Sequence, residues 1–319
     1  MTVKKITRGI NKDFADAFKQ CELDKLLADH KDELFIGVRN NYLNLYYNCD
    51  SIAKVEYKQG KIICELDKYY LDGKHYKGSN KTKKIDSSEI YKNYQTIKAN
   101  SNTKATDEKK SQSKLVLLNN NNKDSRWYCF DVEWVKAFEN QQQKNEAKFN
   151  GRFDIMAISK KKPQKVALIE LKYGNGAIGG ESGIFKHIED FKKYKDKKYF
   201  DKFEICQIIE SQKFLGVDLP DSLKNLSIMD IGGYEFYVIT LNNNSENING
   251  STPKQTMSGY LFSDKRWNCK KVSQKTVQAS FGDVTDINNS LHVNFLFSKQ
   301  NLDGLIINDI IEHTDYERE

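Results

Sequence analysis

The sequence predicts an α+β protein: a mixed central β-sheet flanked by helices, preceded by a domain built on an N-terminal β-meander. Three observations carry this reading. Residues 35–71 hold four short β-branched or aromatic runs cut by Asn, Asp and Gly. Residues 126–241 read as strands and helices in the order βββαβ, with the helical part in two pieces. The third of those strands, 166–173, is apolar on both faces, as a strand inside a mixed layer must be.

Taken in order, residues 1–34 carry a charged helical pattern with Phe14, Ala17, Phe18, Leu23, Leu26 and Leu27 as its apolar face. The runs LFIGVRN, YLNLYYNC, AKVEYKQG and KIICELDKYYL then form the meander, and no catalytic grouping stands out among them. Residues 72–125 are rich in Lys, Ser, Asn and Thr, with SEIYKNYQTIK as the helical piece. The composition of 100–113 and the run 119–122 predict a polar linker. The expected organisation is therefore a first domain over 1–100, a linker over 101–125, and a second domain over 126–319 with its core at 126–241. In that core RWYCFDVEWV, GRFDIMAIS and KVALIELKYG read as three strands, and the stretch from Gly174 to Gly183 holds five of the eighteen glycines as a glycine-rich turn. GIFKHIEDFKKYKDKKYF reads as an amphipathic helix with Ile184, Ile188 and Phe191 on one face, and DKFEICQIIESQKFLG as a second helix. GYEFYVITL is the fourth strand, and SGYLF and HVNFLFS are strand-like pieces of the tail.

Composition excludes several classes. Hydrophobic residues make up 38% of the 319 residues and aromatics 12%, with seventeen Tyr and seventeen Phe, enough to close a core. No run approaches the ~18 apolar residues of a membrane span, and mean hydropathy is -0.72. The first residues are basic but lack an apolar stretch, so no secretory signal is expected. Six scattered cysteines without a CxxC pattern argue against a disulfide framework or structural zinc. A cytoplasmic protein with reduced thiols is the expectation. The net charge of +7 is moderate and also serves solubility. Its lysines nevertheless cluster, at Lys160, Lys161, Lys162 and Lys165 and again at Lys192, Lys193, Lys195, Lys197 and Lys198.

Both clusters flank the strongest chemical signal. In the third strand, Glu170 and Lys172 interrupt the apolar run and share one face, because side chains alternate along a strand. Charges there are costly unless they are paired or ligate something. Asp154 lies in the preceding strand. If the hairpin between the two strands is symmetric about Lys162, Asp154 falls directly across from Glu170, with Cβ atoms roughly 4.5–5.5 Å apart. Two facing carboxylates call for a cation, and with no His or Cys nearby in sequence a hard divalent ion fits best. The first strand adds Asp131 and Glu133, and Glu133 would join the site if that strand lies beside the second.

Asp154, then Glu170-Leu171-Lys172 in an apolar strand followed by a helix, resembles the PD-(D/E)XK nuclease superfamily, whose core is restriction-endonuclease-like. Phe153 stands where the motif has its Pro, and Glu133 is a looser match to an upstream acid. The resemblance covers about 130–240 and leaves the meander and the tail outside it. It implies metal-dependent hydrolysis of phosphodiester bonds, with DNA favoured over RNA as substrate. Mg²⁺, for which Mn²⁺ can substitute, would be held by Asp154, Glu170 and the backbone carbonyl of Leu171. Lys172 would act on the attacking water and on the charge building on the phosphate. The family often carries an active-site or DNA-contacting residue on the following helix, which makes His187 a candidate; His187, Asp190 and Tyr194 form a stripe apart from Ile184 and Ile188. Arg152, Lys160, Lys161, Lys162, Lys192 and Lys193 are the remaining candidates for nucleic-acid contact, Arg152 equally as a rim charge. The glycine-rich turn reads either as a phosphate-binding loop or as a tight strand-to-helix connection. The competing reading is a non-catalytic nucleic-acid-binding module, or a regulatory subunit of a nucleic-acid-processing or defence complex. A homodimer and a separate partner protein both stay open.

Overall fold

The computed structural model of the chain describes residues 8–136, 138, 141–147, 149, 151–174, 183–241, 267–271, 276–281 and 291–297. They fall into two compact units, one of residues 1–117 with 201–230 and the other of residues 118–200 with 231–319. The fold is α+β, with helices accompanying two separate sheets.

In the first unit, helices α1 (Lys12–Lys19) and α2 (Glu22–Asp29) precede an antiparallel sheet of β1 (Leu34–Val38), β2 (Leu43–Tyr47), β3 (Asp50–Lys58), β4 (Lys61–Asp67) and β5 (Thr82–Ile85). The strands lie side by side in chain order, which is the expected meander with one strand more. The Asn and Gly punctuation has a direct physical use. Asn48 and Cys49 have φ of 52° and 55°, and Gln59 and Gly60 have 51° and 76°. These left-handed pairs make two-residue turns whose twist matches that of the strands they join. Between β4 and β5 sits the single-turn helix α3 (Tyr69–Asp72).

The expected linker is not there. Helix α4 (Ser87–Lys104) and helix α5 (Asp107–Asn121) run through residues 101–121. Helix α4 contains the expected helical piece SEIYKNYQTIK and runs six residues past it; polar composition hid that extension and α5, because each helix buries residues of mixed chemistry: Ile90, Tyr94, Ile97 and Ser101 on α4, and Gln112, Leu115, Val116 and Asn119 on α5. The spacings of three and four residues are helical, while the buried Ser, Gln and Asn look like loop residues in the sequence.

The second unit is built on a seven-stranded mixed sheet. Its strands are β6 (Trp127–Val135), β7 (Arg152–Ser159), β8 (Gln164–Tyr173), β9 (Ile231–Leu241), β10 (Trp267–Lys271), β11 (Thr276–Phe281) and β12 (Leu291–Phe297), in the order β10-β11-β12-β9-β8-β7-β6. Helix α6 (Gln141–Ala147) lies between β6 and β7, and α7 (Ile184–Asp196) follows β8. β6, β7 and β8 pair antiparallel, whereas β8 pairs parallel with β9. The strand at 166–173 is therefore internal, as its two apolar faces require. HVNFLFS is found as β12, and SGYLF lies outside the described residues.

The expected continuous core over 126–241 is interrupted. After α7 the chain supplies α8 (Lys202–Phe214) to the first unit. There Glu204 meets Arg8 at 3.1 Å, with both side chains under a tenth exposed, and Ser211 Oγ accepts the Ile10 N–H. A buried pair of this kind ties a distant segment into the unit, and nothing in the local sequence of α8 announces it.

Candidate active site

The site lies at the end of β7 and β8 remote from their hairpin. The ladder pairs Ile155 with Ile169, Met156 with Leu168, Ala157 with Ala167 and Ile158 with Val166, which is the register of a hairpin symmetric about Lys162. Extended by one pair, it sets Asp154 against Glu170. The ladder stops short of that pair. Asp154 Oδ2 instead accepts the N–H of Leu171 at 2.8 Å, so its carboxylate takes up a backbone bond where strand pairing would otherwise continue. At the same point Phe153 packs on Phe191 and on Phe236, with ring centroids 5.7 and 6.3 Å away. The start of β7 has rolled out of simple alternation.

A second irregularity adjoins the first. β6 lies beside β7, with Val132 opposite Ile155 and Trp134 opposite Phe153, so Glu133 falls at the level of Asp154. Glu133 has φ of 53°, a left-handed conformation disfavoured for a residue with a Cβ. Its carboxylate receives Arg152 Nη1 at 2.6 Å and lies near enough to act on Asp154. Asp131 of the same strand is fully buried and accepts the Val132 N–H.

The remaining members are set by β8 and α7. Glu170 and Lys172 are 2% and 5% exposed, which puts an acid and a base almost out of water. They satisfy one another: Lys172 Nζ donates to Glu170 Oε1 at 2.5 Å. His187, one helical turn into α7, brings Nε2 to 2.9 Å from the same oxygen and 3.3 Å from Lys172 Nζ. Glu170 Oε2 is buried and receives no hydrogen bond among the described residues. Below this group the rings of Phe153, Phe191, Tyr194 and Phe236 stack against one another, with Phe191 and Phe236 nearly parallel at 4.7 Å. That packing holds α7, and with it His187, against the strands. Tyr194 is 1% exposed, whereas His187 and Asp190 of the same stripe are half-buried.

Electrostatics at Asp154 follow from this crowding. Its carboxyl is pushed well above the usual aspartate range, first by burial and then by the charge of Glu170, with Glu133 adding to it. The Leu171 N–H and the Lys172 ammonium oppose the shift. A proton or a cation is what such a cluster of carboxylates lacks. Asp154, Glu170 and Glu133 offer oxygen donors, the preference of Mg²⁺, which is commonly held by one or two carboxylates together with waters and substrate phosphate. Among the described residues no three His, Cys, Asp or Glu side chains form a ready-made metal-ligand cluster.

The basic candidates divide. Arg152 is at the site but is engaged by Glu133. Lys160, Lys161 and Lys162 sit in the β7–β8 hairpin, six or more residues from Asp154 along an extended strand, which places them roughly 20 Å away. Lys160 Nζ donates to the Asn122 carbonyl, and burial lowers its pKa, so it is spent on structure. Lys192 and Lys193 are on α7, where Asp196 pairs with the first at 2.8 Å and Asp190 approaches the second at 4.0 Å. Of the glycine-rich turn, residues 175–182 lie outside the described residues.

Sequence reasoning missed one polar side chain. Thr240 of β9 is level with Lys172 in the parallel ladder, is fully buried, and its Oγ1 has no hydrogen-bond partner among the described residues. Parallel strands are joined by a long crossover rather than a short hairpin, so the local pattern carries no signal for their register.

Searches for relatives gave nothing to set beside this geometry: no family model matches the chain, and no curated protein and no solved structure matches it.

Proposed function

We propose that the protein is a Mg²⁺-dependent nuclease that hydrolyses phosphodiester bonds, DNA before RNA, at the site formed by Asp154, Glu170 and Lys172. The observation that carries the reading is the meeting of an acid from β7 with an acid and a lysine from β8. The lysine is bonded to Glu170, and the Asp154 carboxyl is held above its usual range. Ionisable side chains so deeply placed are expensive, and sites of this kind are often functional. Asp154 and Glu170, with the Leu171 carbonyl, would hold the metal ion, and Glu133 stands at the edge of the site. When bound, the ion would supply positive charge against the phosphate and lower the pKa of an attacking water.

The chain's own residues have separable roles in this proposal. Lys172 places an ammonium where negative charge develops and where a water proton must be managed. His187 fixes the Glu170 carboxylate by its 2.9 Å contact and so sets the direction of its lone pairs. The aromatic stack beneath keeps His187 in place. Arg152, the most exposed member, steadies Glu133 at the rim.

One feature favours a second reading. Lys172 already neutralises Glu170, and His187 contacts the same oxygen, as in a purely structural ion pair. A nucleic-acid-binding module without chemistry could keep that arrangement. The test is incubation of plasmid, linear duplex and single-stranded substrates with Mg²⁺ or Mn²⁺. Metal-dependent cleavage by the wild type, and none by Asp154→Ala, supports the nuclease; binding with no cleavage in either metal supports the module.

A further inference from the structure

We infer that the loop between β4 and β5 of the first unit is a second nucleic-acid contact, a basic clamp for the phosphate backbone. This extends the nuclease reading and rests on it only for the choice of nucleic acid as the polyanion. Residues 68–84 contain six lysines, Lys68, Lys74, Lys77, Lys81, Lys83 and Lys84, and one acid, Asp72. That is a net +5 within seventeen residues of a chain whose total is +7.

The loop is built, and its ends are closed. The Lys68 N–H donates to the Lys81 carbonyl at 2.9 Å, and the Lys68 ammonium is bonded to the Asn80 side chain. Gly73, with φ of 72°, ends α3 by donating its N–H to the Tyr69 carbonyl, and Asn100 of α4 anchors the Tyr70 carbonyl at 3.0 Å. Asp72 is consumed inside the loop, one oxygen accepting the Lys74 N–H and the other the Tyr76 hydroxyl at 2.6 Å. The His75 ring stacks on Tyr69 at 4.6 Å. Compact surface loops whose ends meet in this way are often functional.

The lysines are turned outward. Lys81 and Lys83 have only long contacts, 3.5 Å each, to Asp67 and Glu89. Lys74, Lys77 and Lys84 are exposed and make no ion pair among the described residues. Protection of a sheet edge explains Lys83 and Lys84, because β5 is the outermost strand and charge there deters strand addition. It does not explain Lys74 and Lys77, which lie outside any strand. Exposed large apolar side chains among the described residues are Val135, Ile228 and Met229, none in this loop, so nothing in it would insert into a bilayer. Exposed lysines in excess of acids on a closed loop, with a histidine among them, suit a phosphate backbone read without regard to base sequence.

The test uses the full chain and a fluorescent duplex of about 30 base pairs in EDTA, so that binding is seen without cleavage. Anisotropy is recorded between about 50 and 200 mM salt. The variant combining Lys74→Glu, Lys77→Glu and Lys84→Glu should bind about tenfold or more weakly, with a log–log salt slope shallower by about 2–3, at about 0.9 for each phosphate no longer neutralised. Its melting temperature should fall slightly, because Lys84→Glu faces Glu65 across the β4–β5 ladder; Lys74→Ala with Lys77→Ala, which introduces no new acid, should melt with the wild type and show a smaller loss of affinity of the same kind. Affinity and slope unchanged in both variants would overturn the assignment, as would wild-type binding to phosphatidylserine vesicles but not to duplex. Loop-dependent binding without cleavage in Mg²⁺ would sink the nuclease reading and uphold this one. Cleavage by a protein whose loop variant binds like the wild type would do the reverse.

Discussion

Replacing Asp154 by Asn should stabilise the metal-free protein, and the gain should depend on pH in a defined direction. In the folded chain the Asp154 carboxyl keeps its proton to higher pH than in the unfolded chain, because burial and the Glu170 charge disfavour its anion. Below the ordinary aspartate pKa, ~3.9, both states are protonated and pH has no effect through this group. Above it, the unfolded chain loses the proton first, so wild-type stability falls as pH rises until the raised folded pKa is passed. Asparagine cannot ionise, and its oxygen can still accept the Leu171 N–H. The variant's advantage should therefore be near zero at about pH 4 and grow as pH rises, levelling off only above the raised folded-state pKa. Two unit charges about 5–7 Å apart repel by about 2–3 kcal/mol at an effective dielectric of about 20. Lys172 offsets part of the Glu170 charge, leaving about 1–2 kcal/mol, or about 2–8 °C in Tm for a unit of this size. The assay is thermal unfolding in EDTA from pH 4 to 8, with and without Mg²⁺. A bound cation should raise the wild type toward the variant. A variant no more stable than the wild type at any pH would refute the idea that these carboxylates repel.

Three further outcomes follow from the same geometry. Arg8→Ala should destabilise the first unit by about 1.5–3 kcal/mol, because it removes the cation from a buried pair with Glu204; chemical denaturation monitored by far-ultraviolet circular dichroism measures it, and a loss under about 1 kcal/mol would mean that water reaches the pair. Glu133→Gly should relieve a left-handed residue, about 1 kcal/mol, while removing the exposed bridge to Arg152, so stability should change little and any cleavage should fall. His187→Gln should reduce the cleavage rate with little change in substrate affinity, since His187 touches Glu170 rather than the solvent-exposed basic surface; a change confined to affinity would return it to the role of a nucleic-acid contact.

Much of this architecture can be read in the sequence where local rules apply. The βββ order, the two helices and the β7–β8 register from Ile155 to Ile158 all follow from alternation and from a short hairpin, and spacing brings Asp154 to the level of Glu170 without giving the way its side chain turns. The rest depends on non-local contacts. Linker-like Asn and Ser become helix where α4 and α5 bury them, and α8 joins the first unit through Arg8 and Glu204. His187 looks like a surface residue until the stack of Phe191 and Phe236 turns its helix toward Glu170. The swing of Asp154 onto the Leu171 N–H and the left-handed Glu133 are departures from regular pairing, and regular pairing is all that periodicity encodes. Irregularities gathered at one spot are where function most often displaces local preference.

The measurement that bears most directly on the site being chemical rather than structural is a paired one on Lys172. Substrate affinity is determined in Ca²⁺ and single-turnover rate at saturation in Mg²⁺, for the wild type and for Lys172→Gln, with thermal unfolding confirming that the variant is folded at the assay temperature. That control matters because Lys172 is almost fully buried against Glu170. The account predicts a rate lowered by about 10²–10⁴ with affinity nearly unchanged, the signature of losing a positioned acid–base group. A folded variant that loses affinity in step with rate, or that cuts as fast as the wild type, would contradict it.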